Sequence, residues 1–456
     1  MSSRDVGRES GDRHVSEKVT ARRGIIVLLV LAALLPAIVA YGILYRQALS
    51  VPYQDDYEAI LAFATAYKQL PTLKQKALEI AAEQHNEYKL GFEHSIVAAE
   101  LEFTHHLNFA FLIALGDLFL LPIGYLLWRT YQDAETDPGS RLLQFLPISF
   151  LFFSLTYWEN LNWAMTGLQN TPVILFSLLA IYLVTPRKMV QPAHTRLLLG
   201  CLAAALAACA SANGFLLGPV GLLIFLPRRA YARSLVWCAS FVLPLAAYLY
   251  HFVPVVHPQH RAAYITRPLF FFAFLGGVVP FRWAAALLGI LILAIVLLAV
   301  RSRFDRTNPV AFYFAVWIMA TVSLVAWVRG AVSFSIASRY SMYSILMLIF
   351  CYSFLAQYLP ARSSTFPRRR FYVTAIVIAV CFCVAADVHA YRKLGARRRM
   401  VLSGIEFYRA SPEVNSPMID SRIERAAPQE KAYEQGVLTE AINKGIYTLP
   451  PQPGIR

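Results

Sequence analysis

The sequence predicts an all-α protein: a polytopic transmembrane helical bundle of about eleven spans, with an outer loop of juxtamembrane helices after the first span. Three observations carry this expectation. Of 456 residues, 57% are hydrophobic and 15% charged, and the mean hydropathy is +0.50, beyond what a soluble domain tolerates. The basic residues stand in short clusters between apolar stretches long enough to cross ~30 Å of hydrocarbon. The cysteines, Cys201, Cys209, Cys238, Cys351, Cys381 and Cys383, all fall inside apolar stretches, which leaves neither a loop disulfide framework nor a metal-finger spacing.

Residues 1–23 carry Arg4, Arg8, Arg13, Lys18, Arg22 and Arg23 without apolar periodicity and are expected to form a disordered arm on the cytoplasmic side. The apolar core of 24–44 is too long for a signal peptide and no small-residue cleavage site follows, so it is expected to be a retained anchor. Further spans are expected near 107–128, 142–158, 171–185, 197–212, 215–227, 234–251, 281–300, 310–328, 341–359 and 371–388. The stretch 269–279 is half a span long and fits a re-entrant, interfacial or extra-crossing segment. Arg187, Lys188, Arg196, Arg228, Arg229 and Arg233 set the first half by the positive-inside rule.

In the second half that rule ties. Arg301, Arg303, Arg306, Arg362, Arg368, Arg369 and Arg370 fall on one side, and Arg329, Arg339, Arg392, Lys393, Arg397, Arg398 and Arg399 on the other. No internal repeat of the transporter kind is present. The transmembrane domain is expected over 24–388, including the loop 45–106, with an extramembrane tail over 389–456. The formal charge of +15 is spread over these clusters, where it suits anionic headgroups of the bilayer and gives no reason to expect nucleic acid.

The loop 45–106 holds nine carboxylates against Arg46, Lys68, Lys74, Lys76 and Lys89. Two helices are expected in it, over 57–69 and from Leu73 towards Leu101. Asp55 and Asp56 stand at the start of the first, close to the bilayer, where partial desolvation makes a carboxylate a usable base. The spacing Asp55-x-x-Glu58 is also that of a capping box, which leaves helix capping as the competing reading. In Glu83-Gln84-His85-Asn86-Glu87-Tyr88-Lys89, a helix would put His85 and Lys89 on one face, with Glu83 and Glu87 on the next. Such a face suits a phosphate or a sugar, or simply a solvated set of ion pairs. His94, His105 and His106 could extend a metal site, but no H-E-x-x-H or acidic ion loop is present.

Trp158-Glu159-Asn160 and Asn162-Trp163 offer a carboxylate flanked by rings that could stack on sugars or serve as an interfacial belt. Asn213 with Gly214 and Gly218 reads as close helix packing. Arg329 and Arg339, the latter in Ala337-Ser338-Arg339-Tyr340, ask for an anionic partner, either a phosphate or a lipid headgroup. His257, His260, Arg261 and Arg267 add potential phosphate donors. Asp117, amid Leu115, Leu118 and Phe119, is a carboxylate inside a span.

The order of these features, a first span, an outer loop opening on Gln54-Asp55-Asp56, many spans and a C-terminal extension, resembles the GT-C superfamily of polytopic membrane glycosyltransferases. Gln84-His85-Asn86-Glu87 and Ser338-Arg339-Tyr340 are similar to runs in uncharacterised bacterial proteins of this layout. The resemblance implies inverting transfer of a sugar from a polyprenyl-phosphate carrier to a glycan, lipid or protein acceptor on the outer face of the cytoplasmic membrane. Asp55, or next Asp56, would be the base. His85, Glu87, Lys89, Glu159, Asn160, Arg329, Arg339 and Tyr340 would bind substrate and phosphate. No metal ligands are assigned, and a divalent ion is left open as the one conceivable cofactor. The resemblance also favours an external C-terminus, with Arg329 and Arg339 on the same face as Asp55. The competing class is a transporter or flippase for a lipid-linked or anionic substrate, with Asp117, Glu159 and the arginines along its path.

Overall fold

The computed structural model describes residues 6–86, 88–130, 138–186, 193–255, 263–330, 337–362, 367–412 and 428–451. Helix α1 (Val6–Gln47) contains the first apolar span, Arg22–Gln47. Its large side chains Leu28, Leu31 and Ile38 are exposed on the bundle's outer face, as a lipid-facing helix requires. Residues 6–21 continue this helix where an irregular arm was expected. A polar stretch can extend a helix that an adjoining apolar segment has already nucleated.

The loop then folds as a wide π-turn over Tyr57–Ala62 that runs into α2 (Phe63–Gln69), followed by α3 (Leu73–Ala82) and α4 (Gly91–Thr104). The first expected helix is therefore present over 57–69. The second is broken: α3 stops at Ala82, and His85 and Tyr88 pair backbone to backbone around Asn86 at φ 51°. Left-handed backbone is tolerated best by Asn and Gly and cannot continue a helix. Thr72 accepts from the Gln75 N–H to cap α3, and Asn108 accepts from the Phe111 N–H to open the next span.

That span is α5 (Phe109–Leu118) with α6 (Leu120–Thr130), and α7 (Pro138–Phe152) returns. Helix α8 (Ala164–Val184) is the most central span, with 72% of its apolar window buried, against 17% for α1. After it come α9 (His194–Ala210), α10 (Leu217–Phe225), α11 (Tyr231–Ala239) and α12 (Val242–Leu249). The remaining helices are α13 (Ala263–Leu275), α14 (Arg282–Arg301), α15 (Phe304–Thr307), α16 (Pro309–Arg329), α17 (Ser341–Arg362), α18 (Arg368–Ala410) and α19 (Pro428–Asn443). Among the described residues there is no strand, so the chain is an all-α helical bundle.

Nine helices among the described residues are long and apolar enough to cross a membrane. Two of the expected spans, 197–212 and 215–227, are instead the shorter apolar helices His194–Ala210 and Ala212–Arg228. They meet at Gly214, where a Cβ would stand 2.2 Å from the Ala207 carbonyl carbon, so close packing of small residues is what Gly214 supplies there. Asn213 joins this junction by donating to the Tyr343 hydroxyl. The half-length stretch at 269–279 lies largely in α13, and both ends of α13 meet the connection between α16 and α17. Thr266 donates to the Gly330 carbonyl, and Ser341 donates to that of Gly277. Helix α13 therefore does not cross the bundle.

Its course decides how the two ends are populated. Arg329 bonds to Tyr88 and Arg397 to Asn162, so these basic residues stand at the Asp55 end. The tail folds back on that end too: Tyr447 donates to the Ser50 carbonyl, and the Leu107 N–H donates to Ile446. Tyr57, Phe63, Leu107, Trp163, Leu438 and Tyr447 share one buried cluster there, distinct from the main core between the spans. Each fully buried large apolar side chain contributes about 1.5–3 kcal/mol, enough to hold the loop in a single place.

Candidate functional site

The site begins with two neighbouring acids in opposite surroundings. Asp56 is 1% exposed, and its carboxylate accepts from the backbone N–H groups of Tyr53 and Met165, each at 2.9 Å. Met165 lies in the first turn of α8, so Asp56 puts a carboxylate on a helix N-terminus and pins the loop to the central span. Burial pushes its pKa up to about 7, and the two N–H groups limit the rise. The Asp55 side chain is 43% exposed and faces the His85 Nε2 at 3.8 Å. Burial raises its pKa, but His85, then Arg339 and Arg329, outweigh burial and hold it below the usual carboxylate range. Neither acid caps the helix that follows: no side-chain cap bond forms at its start. The capping-box reading is thereby set aside.

His85 is almost fully buried and sits between two acids, with Nδ1 3.1 Å from the Glu58 carboxylate. Burial works against its charge, but Asp55 and Glu58 outweigh it and raise the pKa to about 10. His85 is therefore a buried cation at neutral pH. It does not share a helical face with Lys89, as the sequence had suggested, because α3 ends at Ala82 and α4 begins only at Gly91. Lys89 donates to the carbonyls of Ala81, Ala82 and Tyr250, which uses all three of its donors on backbone. It caps the end of α3 and has no donor left for a phosphate. Glu87 lies outside the described residues, as do His257, His260 and Arg261.

Arg329 and Arg339 reach the same end from either side of the α16–α17 connection. Arg329 donates to the Tyr88 hydroxyl at 3.1 Å. The Arg339 guanidinium lies 5.4 Å from the Trp163 ring and 5.6 Å from that of Tyr340. Its backbone is held by the pair singled out in the sequence: the Arg339 N–H donates to Glu159 at 3.3 Å, and Asn160 donates to the Arg339 carbonyl at 2.8 Å. Glu159 and Asn160 thus position Arg339, and Tyr340 packs on Phe274. Asp55, His85, Arg329 and Arg339 are brought together from residues far apart in the sequence.

Three participants were missed by sequence reasoning. Arg397, 8% exposed, donates to the Asn162 carbonyl and lies 4.0 Å from the Tyr53 ring and 4.7 Å from that of Trp158. Tyr53 packs edge-on against Trp163, so a stack runs from Arg397 through Tyr53 and Trp163 to Arg339. The available signal was the basic run 392–399 just beyond the last apolar stretch. Glu58 was hidden in the capping-box pattern. Glu93, 0% exposed with neither oxygen hydrogen-bonded, has its pKa raised well above the usual carboxylate range by burial and then by Asp56; nothing in the sequence distinguishes it from a surface glutamate.

The other histidines make different contacts. His94 stacks on Phe63 at 4.2 Å, and burial lowers its pKa to about 3. His105 is the left-handed residue ending α4, and His106 meets Thr448. Arg267 donates to the Trp327 carbonyl. Asp117 is buried in α5 with Oδ1 unbonded. Among the described residues no three His, Cys, Asp or Glu side chains are placed to hold a metal ion. Chemically, the site offers partly exposed carboxylates, Asp55 and Glu58, facing cations, on an aromatic floor. No protein-family model, curated protein or solved structure matches the chain.

Proposed function

We propose that the protein is a membrane glycosyltransferase that moves a sugar from a polyprenyl-phosphate carrier to an acceptor hydroxyl, inverting the anomeric centre. The observation that carries this reading is Asp55: ionised and partly exposed, with cationic His85, Arg329 and Arg339 close by. A base and an anion-binding group side by side are what such a transfer requires. The layout resembling the GT-C superfamily supports the same reading from the sequence.

In this mechanism the acceptor hydroxyl gives its proton to an Asp55 carboxylate oxygen as its own oxygen attacks the anomeric carbon. The bond from that carbon to the carrier phosphate breaks, and its electron pair leaves on the phosphate oxygen. The departing phosphate is a stable anion and needs no general acid. Arg339, backed by Arg329, stabilises its charge. Tyr340, partly exposed beside Arg339, gives the sugar a stacking surface. The Asp55 end would face the outside of the cytoplasmic membrane, with the N-terminus in the cytoplasm and the C-terminal tail outside. The acceptor would be a glycan, lipid or protein.

The test is reconstitution of the full chain in liposomes with a radiolabelled polyprenyl-phosphate hexose and extracted envelope acceptors. Label should move to an acceptor with inverted anomeric configuration, and Asp55→Asn should abolish the transfer with insertion intact. Transfer by Asp55→Asn at the wild-type rate would remove Asp55 as base, and no transfer by the wild type from any polyprenyl-phosphate sugar would remove the reading itself.

A further inference from the structure

A second basic feature lies on the other face of the helix that supplies Arg397. In α18, Ala390, Leu394, Arg397 and Val401 face inward and are buried. Tyr391, Arg392, Gly395, Arg398 and Arg399 follow the spacing of a neighbouring face and, with Gln47 at the end of α1, line a cavity of about 330 Å³. That volume lies at the small end of the ~300–1,000 Å³ typical of ligand sites. None of its lining residues belongs to the Asp55 cluster.

Three guanidinium groups share this cavity, yet among the described residues none of them pairs with a carboxylate within 4 Å. Arg392 and Arg399 are exposed and Arg398 is half-buried. Three like charges around one cavity repel, so the cavity suits an anion that the chain does not itself provide. The guanidinium fork matches the oxygens of a phosphate two at a time.

Position indicates where that phosphate comes from. The cavity stands where α1 ends its apolar span and α18 passes beyond its own. Those two helices bury the smallest shares of their apolar windows, 17% and 11%. Their outward sides, with Ile38, Val384 and Val388 exposed, lead an acyl chain up to the arginines. We propose that this cavity is a binding site for the phosphate of an anionic phospholipid, separate from the Asp55 site and joined to it through α18, whose inward face places Arg397. The same device accounts for a basic run on the side where the charge rule disfavours one: its arginines hold a lipid on one face and the site floor on the other.

The experiment is native mass spectrometry of the delipidated full chain in detergent, titrated with phosphatidylglycerol, phosphatidylcholine or inorganic phosphate. Wild type should bind one phosphatidylglycerol at least tenfold more tightly than phosphatidylcholine. The combined Arg392→Ala, Arg398→Ala and Arg399→Ala variant should lose that preference. Gly395→Leu keeps every arginine but fills the cavity. Its Cβ has room, with the nearest atom, on Arg399, 3.7 Å away. It should lose phosphatidylglycerol to the same extent, and it decides the matter if the triple variant does not fold. Millimolar inorganic phosphate should leave the lipid bound; displacement by it would assign the cavity to free phosphate and overturn the lipid as source. Retention of phosphatidylglycerol within twofold in Gly395→Leu, or equal binding of phosphatidylcholine by wild type, would overturn the site.

Discussion

The rim and the floor of the site use the same residue types for different ends. On the rim, Asp55, Glu58 and His85 form an ion cluster in which the acids keep about half their side-chain surface, 43% and 51% exposed. On the floor, Asp56, Tyr53, Trp163 and Arg397 are buried, and the Asp56 carboxylate and the Arg397 guanidinium are spent on backbone partners and ring faces. A carboxylate that accepts two backbone N–H groups in the interior is a fastener. One that stays ionised at the surface beside cations has lone pairs to offer a substrate. Adjacent positions in the chain thus take opposite roles because a turn points one side chain outward and its neighbour at the start of α8.

That contrast can be broken at four places. The largest stability effect is expected from Arg397→Met, which removes a buried hydrogen bond and two cation–ring contacts and should destabilise the Asp55 end by about 3 kcal/mol. Thermal unfolding of the detergent-solubilised protein checks this, and Arg397→Lys should restore little because an ammonium lacks the planar fork. Asp56→Ala follows at about 2 kcal/mol, since it orphans the N–H groups of Tyr53 and Met165. Its pH signature is distinctive. The folded Asp56 carboxyl holds its proton up to about 7, and the unfolded one only to about 3.9. Wild type should therefore lose stability as pH rises from about 4 to about 7, and the variant should lack that slope.

His85→Gln acts on the rim. It removes the cation that holds Asp55 low, so the acid limb of the proposed transfer should move to higher pH, with a smaller change in the thermal midpoint than Asp56→Ala gives. An unmoved limb would detach His85 from Asp55. The smallest effect is expected from Lys89→Met, which frees the carbonyls at the end of α3. A loss of about 1 kcal/mol, confined to faster hydrogen exchange over residues 73–90, would mark Lys89 as a fastener. A tenfold rise in the KM for the carrier would return it to phosphate binding.

How legible each part was depended on whether its cause is local. Apolar length is local, so the helical membrane architecture could be read directly, and so could the helical stretch over 57–69, though not that its first six residues form a π-turn. The break at Ala82 could not, because the polar run Glu83 to Lys89 is compatible with a helix and only tertiary contacts, such as Lys89 to the Tyr250 carbonyl, select the turn. Asp55, Arg329 and Arg339 stood out because each sits where a soluble or lipid rule disfavours it. Arg397 did not, because its neighbours Arg392, Lys393, Arg398 and Arg399 give it the look of an ordinary basic cluster. The burial of Glu93 follows from the packing of α4 against the floor, which has no counterpart in the sequence.

The division between rim and floor is tested most directly by preparing Asp55→Asn and Asp56→Asn side by side and measuring thermal midpoint and sugar transfer on each. Asp55→Asn should keep the wild-type midpoint and lose transfer by a factor on the order of 10²–10⁴. Asp56→Asn should lower the midpoint and retain transfer in the fraction that stays folded. The reverse pattern, a destabilised Asp55→Asn that still transfers beside a stable Asp56→Asn that does not, would contradict the account and move the base to Asp56.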